Sequence, residues 1–133
     1  MLLLEALTAL LLFSIGVLGT VNLQAHTIRH VNDARHRGEA AHLAQTLIAR
    51  MWAEDPRALA DRYDSRRDGE GYRQFAVLAL RLPGASLAGN APTVQVGIGP
   101  SAASQTVSVA VRWQLPGETL PHRYSLSAVI GRN

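Results

Sequence analysis

Residues 1–25 read MLLLEALTALLLFSIGVLGTVNLQA, and after Glu5 no formal charge appears until Arg29. The uncharged run from Ala6 to Ala25, at about 1.5 Å per residue, makes roughly 30 Å of helix, the thickness of a bilayer's hydrocarbon core. A cleavable secretory signal would open on a basic region and stop sooner, at a small-residue site. Neither feature occurs here, so the segment is expected to be retained. The missing basic region further suggests that a short basic leader has been removed, which would make Met1 a processed terminus. A carboxylate at a membrane helix centre costs about 2.5 to 3.5 kcal/mol, and less towards an end. Glu5 could be offset by a free α-amine, its own or a neighbour's, or could be solvated at the headgroups; the residues alone leave both open. Ser14, Gly16 and Gly19 form a small-residue face at helical spacing, where another helix could approach closely. The two glycines each weaken the helix by about 1 kcal/mol, so they also mark a place where it could bend.

Helical character continues beyond this segment. In residues 26–54, HTIRHVNDARHRGEAAHLAQTLIARMWAE, the apolar residues Ile28, Val31, Ala34, Ala40, Leu43, Ala44, Leu47, Ile48 and Met51 recur at three- and four-residue steps. Gly38 interrupts the stripe, and Asp55-Pro56 stops it, because a residue before proline is steered out of the α region. One helix over residues 2–54 would be roughly 80 Å long, against a radius of gyration near 13 Å for a domain of about 100 residues. Its N-terminal half is therefore expected to protrude and its C-terminal half to pack its stripe on a sheet.

Four runs supply that sheet. QTVSVAVRWQ (105–114) alternates through Val107, Val109, Val111 and Trp113, and TVQVGI (93–98) through Val94, Val96 and Ile98. YRQFAVLALRL (72–82) is apolar on both faces, as a central strand would be, and RYSLSAVI (123–130) completes the set. Pro83-Gly84, Gly89-Asn90, Gly99-Pro100 and Pro116-Gly117 punctuate the runs, and the short connections favour antiparallel pairing. The expected fold class is α+β: a long N-terminal helix packed by its C-terminal half on a four-stranded antiparallel sheet. The expected segments are an apolar half-helix (1–25), an amphipathic half-helix (26–55), a charged linker (56–71) and the sheet region (72–133), with 26–133 as one globular domain. The linker region, rich in acids, reads as a solvated loop with at most a short helix.

The 133 residues contain no cysteine, so disulfides, Cys-bound metals and thiol nucleophiles are excluded. All 13 basic residues are arginine, and the net charge of +3 is spread along the chain, a weak attraction for a polyanion. His26 and His30 have zinc-ligand spacing, and His36 and His42 lie further along the same helix, but no third ligand is placed, so no metal site is expected. Asp64, Asp68, Gly69 and Glu70 resemble a calcium loop only faintly, since its alternating ligand spacing is absent. Trp52 and Trp113 fit a core or a packing edge. Arg29, Arg35, Arg37 and Arg50 could meet phosphate or an acidic partner, although a charged helix face is ordinarily solvated; nucleic acid is not the expected partner. No nucleophile–base set, phosphate loop or carboxylate pair stands out, and neither enzymatic activity nor a cofactor is expected.

The N-terminal stretch resembles mature type IV pilins and pseudopilins, which carry a hydrophobic first residue, glutamate at the fifth position and an unbroken apolar helix. Within that superfamily, Ser14, Ile15, Gly16, Leu18, Gly19, Leu23 and Gln24, then Leu43, Ala44, Arg50, Met51 and Ala53, resemble the PilV-type minor pilins. The likeness in detail covers the first 56 residues. It implies that a prepilin peptidase cuts before Met1 and methylates its amine. The chain would then wait in the inner membrane as a single-pass protein with a periplasmic domain before extraction into a pilus filament at the cell surface. Glu5 would pair with a neighbouring subunit's terminal amine. The partners implied are other minor pilins, the major pilin and a large PilY-type tip adhesin, in a complex that primes pilus assembly and supports adhesion. Many pilins hold their C-terminal region with a disulfide loop, which this cysteine-free chain must do without.

Other readings share parts of this pattern. A minor pseudopilin of a type II secretion system has the same N-terminus and would be told apart by secretion-channel genes beside its own. A DNA-uptake pilin would use the arginines named above and show salt-sensitive DNA binding. A plain single-span anchored protein would have no filament role.

Overall fold

A computed structural model describes residues 1–131. The chain divides into two units, residues 1–35 and the part from His36 onward, and helix α1 (Leu2–Trp52) contributes to both.

In the first unit leucine and alanine dominate, two of the best helix formers, and the apolar side chains point in every direction. Nothing within the unit covers them: Leu2, Leu3, Leu12, Phe13, Leu18 and Leu23 are all exposed. By length and composition this part of α1 can cross a membrane, and none of its most apolar window is buried.

In the second unit α1 changes character. Ala40, Ala44, Leu47, Ile48 and Met51 are buried, at steps of three and four residues. Ile28, Val31 and Ala34, which open the stripe in the sequence, are exposed, so burial begins only at Ala40. Gly38 does not break the helix. The helix tightens at its end, where the Ala53 and Glu54 amides donate to the Arg50 and Met51 carbonyls, and Pro56 prevents its continuation.

The linker is more built than a solvated loop. A 3₁₀ turn (Pro56–Ala58) leads into α2 (Leu59–Tyr63), capped by the Asp55 side chain on the Arg57 amide. Leu59 and Tyr63, one helical turn apart, enter the core, and Asp64 is buried beside them.

Residues 72–82 do not form a strand. They belong to α3 (Glu70–Ala79) and the turn after it, which corrects the four-stranded expectation. The physical reason lies in the period. Gly71, Phe75, Ala79 and Leu82 are buried, at helical steps of four, four and three, while Val77 and Leu80 face outward. A run apolar on both faces suits a central strand and a partly covered helix equally, and the abundance of Ala, Leu, Gln and Arg with one β-branched residue tips this one to helix. Gly71 is required by packing, since a Cβ there would lie 2.4 Å from the Tyr63 ring.

The sheet has three strands, β1 (Thr93–Ile98), β2 (Ser104–Trp113) and β3 (His122–Gly131), antiparallel in the order β1-β2-β3. Both registers are unbroken. Val94, Val96, Val107, Val109, Val111 and Trp113 line its inner face and form one core with Met51, Leu59, Phe75 and the buried alanines of α1. The other face carries Gln95, Thr106, Ser108, Arg112 and Ser127, the wet side usual in antiparallel sheets. Between β2 and β3, Pro116-Gly117 makes a turn with Gly117 at φ 86°, which glycine alone adopts at low cost.

Candidate functional site

The sequence places its candidate residues on α1, and in the first unit their geometry is defined by what they do not touch. Glu5 lies in the first turn of α1, where its backbone amide donates to the Met1 carbonyl at 3.2 Å. Its side chain is exposed among exposed leucines. The hydroxyls of the apolar segment are satisfied within the helix: Thr8 Oγ1 donates to the Leu4 and Glu5 carbonyls (3.0 and 2.9 Å), Ser14 Oγ to Leu10 (2.7 Å) and Thr20 Oγ1 to Val17 (2.8 Å). Such back-bonding is what a helix surrounded by apolar groups requires. From Met1 to Val21 the Glu5 carboxylate is thus the one polar side chain without a partner in its own helix. Gly16 and Gly19 meet nothing within 4 Å of an added Cβ, so neither is demanded by packing inside the chain.

Two of the four arginines lie in each unit. Arg29 and Arg35 are exposed in the first unit. In the second, Arg37 lies over the Trp113 ring, 5.9 Å from its centroid, and Arg50 borders a groove with Leu43, Leu47, Phe75 and Leu78. Arg37 is therefore engaged in packing, a role its helical spacing did not reveal.

Trp113 is fully buried, and its other neighbour is His122, stacked at 5.5 Å with the rings 11° from parallel. His122 Nε2 meets the Glu118 carboxylate at 2.9 Å, and Glu118 also accepts from the Leu115 amide. The contact with His122 is the main cause that lowers the Glu118 pKa, with the Leu115 amide second. This layered set, Arg37–Trp113–His122–Glu118, ties α1 to the end of the sheet and to the β2–β3 connection.

The residues of the faint calcium motif are occupied otherwise. Asp64 Oδ1 accepts from the Arg66 amide and Nε (2.9 and 3.0 Å), and Oδ2 from Arg66 Nη2 and the Val96 amide (2.9 and 3.1 Å). Asp68 pairs with Arg73. Among the described residues no three His, Cys, Asp or Glu side chains converge as a metal site would require. Asp64 carries structure that sequence reading missed: it fastens the 64–66 segment to β1.

The Arg66 guanidinium, against the opposing effect of burial and with help from the Val96 and Arg66 amides, holds the Asp64 carboxyl well below the usual carboxylate range. A depressed pKa contributes stability that is complete above the unfolded value of about 3.9 and is lost as pH falls through the folded value. The unfolding midpoint in urea, followed by tryptophan fluorescence, is expected to decline below about pH 4. In Asp64→Asn that acid limb should be shallower, with stability already reduced at neutral pH; an acid limb as steep as in the parent chain would show that other carboxylates govern it.

No protein-family model, curated protein or solved structure matches the chain.

Proposed function

We propose that the chain is a minor pilin of a type IV pilus, a non-enzymatic subunit with the pilin fold that acts in the tip complex priming assembly and supporting adhesion. The observation that carries this reading is α1. Its first half is apolar all round, exposed, internally satisfied in its hydroxyls, and bears a single carboxylate in its first turn. The last part of the same helix supplies buried residues to the core of an antiparallel sheet. A simple membrane anchor needs the first feature without the lone acid; a filament subunit uses both. In this reading the apolar half waits in the inner membrane and then joins the filament core, with other minor pilins and the major pilin as neighbours, a PilY-type adhesin as a tip partner, and a prepilin peptidase as the processing enzyme acting at Met1.

The test is made in piliated cells that produce the chain. Replacing residues 1–25 by an unrelated single-pass helix of equal length should leave the protein in the membrane fraction and remove it from sheared pili. Absence of the unaltered chain from sheared pili, or equal recovery of the replaced one, would refute the proposal.

A further inference from the structure

The two edges of the sheet are finished differently. Across β1 and β2, the Gly99 amide bonded to the Ser104 carbonyl (3.1 Å) and the unbroken register turn the backbone groups of Val94, Val96 and Ile98 away from β2. The 64–66 segment covers this edge. The Val94 carbonyl accepts from the Ser65 amide and hydroxyl (2.8 and 3.0 Å), and the Val96 amide donates to Asp64 Oδ2.

At β3 the same alternation, carried through the continuous β2–β3 register, turns the backbone N–H and C=O groups of Arg123, Ser125, Ser127 and Val129 outward. Among the described residues no backbone hydrogen bond reaches them. Arg123, Ser125, Ser127 and Val129 are exposed, and on the inner face Tyr124, Leu126 and Ala128 are only half-buried, whereas their cross-strand partners Val111, Val109 and Val107 are buried. Bulges and prolines, which often blunt an edge, are absent from β3.

Charge supplies a second, independent feature. Arg112 and Arg123 stand directly opposite each other in the register, an arrangement that repels. Arg112 Nη1 donates to the Ala91 carbonyl (3.0 Å) and Arg123 Nε to Ser125 Oγ (2.8 Å). Among the described residues neither guanidinium forms an ion pair with a carboxylate.

We infer that the β3 edge is a strand-addition site for an extended segment of another protein, apolar at alternate positions and carrying a carboxylate beside Arg112 and Arg123. The added strand completes the ladder by main-chain hydrogen bonds, its apolar side chains extend the Tyr124–Leu126–Ala128 row, and its acid relieves the arginine pair. A second copy of β3 does not fit this description, because His122–Gly131 contains no acidic residue.

The probe is a fluorescent peptide, acetyl-Asp-Val-Thr-Val-Thr-Val-Asp-amide, titrated by anisotropy into the full-length chain in detergent micelles. Its two terminal acids allow the pairing in either direction. Saturable binding is expected, weakened at least tenfold when both acids are replaced by lysine. Ser127→Pro, which removes an outward amide unused by β2, should weaken binding at least tenfold with an unchanged thermal midpoint. Should that variant fail to fold, Arg123→Glu decides the matter by reversing the preference between the acidic and basic peptides. No binding of the acidic peptide, no discrimination between the two peptides, an unaltered preference in Arg123→Glu, or full binding by folded Ser127→Pro would each overturn the inference. So would displacement of the peptide by self-association of the chain through β3.

Discussion

Trp113→Ala is expected to lower the stability of the sheet unit by about 3 to 5 kcal/mol, the usual range for deleting a buried aromatic. Trp113 is fully buried at the end of β2, beneath Arg37 and against the His122 ring. Its removal opens a cavity where α1, β2 and β3 meet, and the surrounding groups cannot all close on it, because Arg37 comes from a helix and His122 is held by Glu118. Trp113→Phe should cost far less. The indole Nε1 has no hydrogen-bond acceptor, so the ring can be exchanged without losing a bond, and much of the stacking surface remains. Urea unfolding followed by near-UV circular dichroism checks both variants. Far-UV signal is a poorer guide, since the apolar part of α1 can keep its helix in detergent after the sheet has melted. Equal losses in the two variants would show that the indole's own shape is required and that a smaller aromatic ring cannot stand in for it.

The sequence made the long helix legible because two unlike signals agreed: an uncharged run of membrane length, then a three-and-four-residue stripe ending at Asp55-Pro56. β1, β2 and β3 were legible for a different reason. Val107, Val109, Val111 and Trp113 alternate strictly, and turn residues bound each run. Residues 72–82 were not legible as a helix, since an apolar run without alternation carries both periods, and the deciding contact, Gly71 against the Tyr63 ring, joins positions in separate elements. The same limit hid Asp64. Among arginines in an acidic stretch it reads as a solvated charge, and only the fold brings the Val96 amide to it. Arg37 shows the converse: a cation on the polar side of a helical wheel proves to cover a tryptophan from a distant strand. Of the candidate site, Glu5 and the small residues around Gly16 could be named from sequence because their meaning is local to one helix. The open edge of β3 could not, because it depends on which strands pair and on which edge the 64–66 segment closes.

Glu5→Val carries the largest functional effect expected of any single change. The substitution makes the segment more apolar, so insertion in the membrane should be unimpaired or improved. What it removes is the only side chain in the first turns of α1 that can fix a neighbour by charge. Losing one partner of an ion pair buried among apolar helices costs about 3 to 5 kcal/mol, enough to reduce incorporation more than a hundredfold if the pair forms in the assembled state. Glu5→Gln keeps shape and hydrogen bonding but not the charge, and should fall between the two.

The most direct measurement is the amount of the chain in sheared pili relative to the membrane fraction, compared between the parent and Glu5→Val in the same piliated cells. A filament subunit held through Glu5 predicts membrane levels no lower than the parent's and a loss from the pili of more than about a hundredfold. Equal amounts of both proteins in the pili, or neither protein in them, would contradict that role.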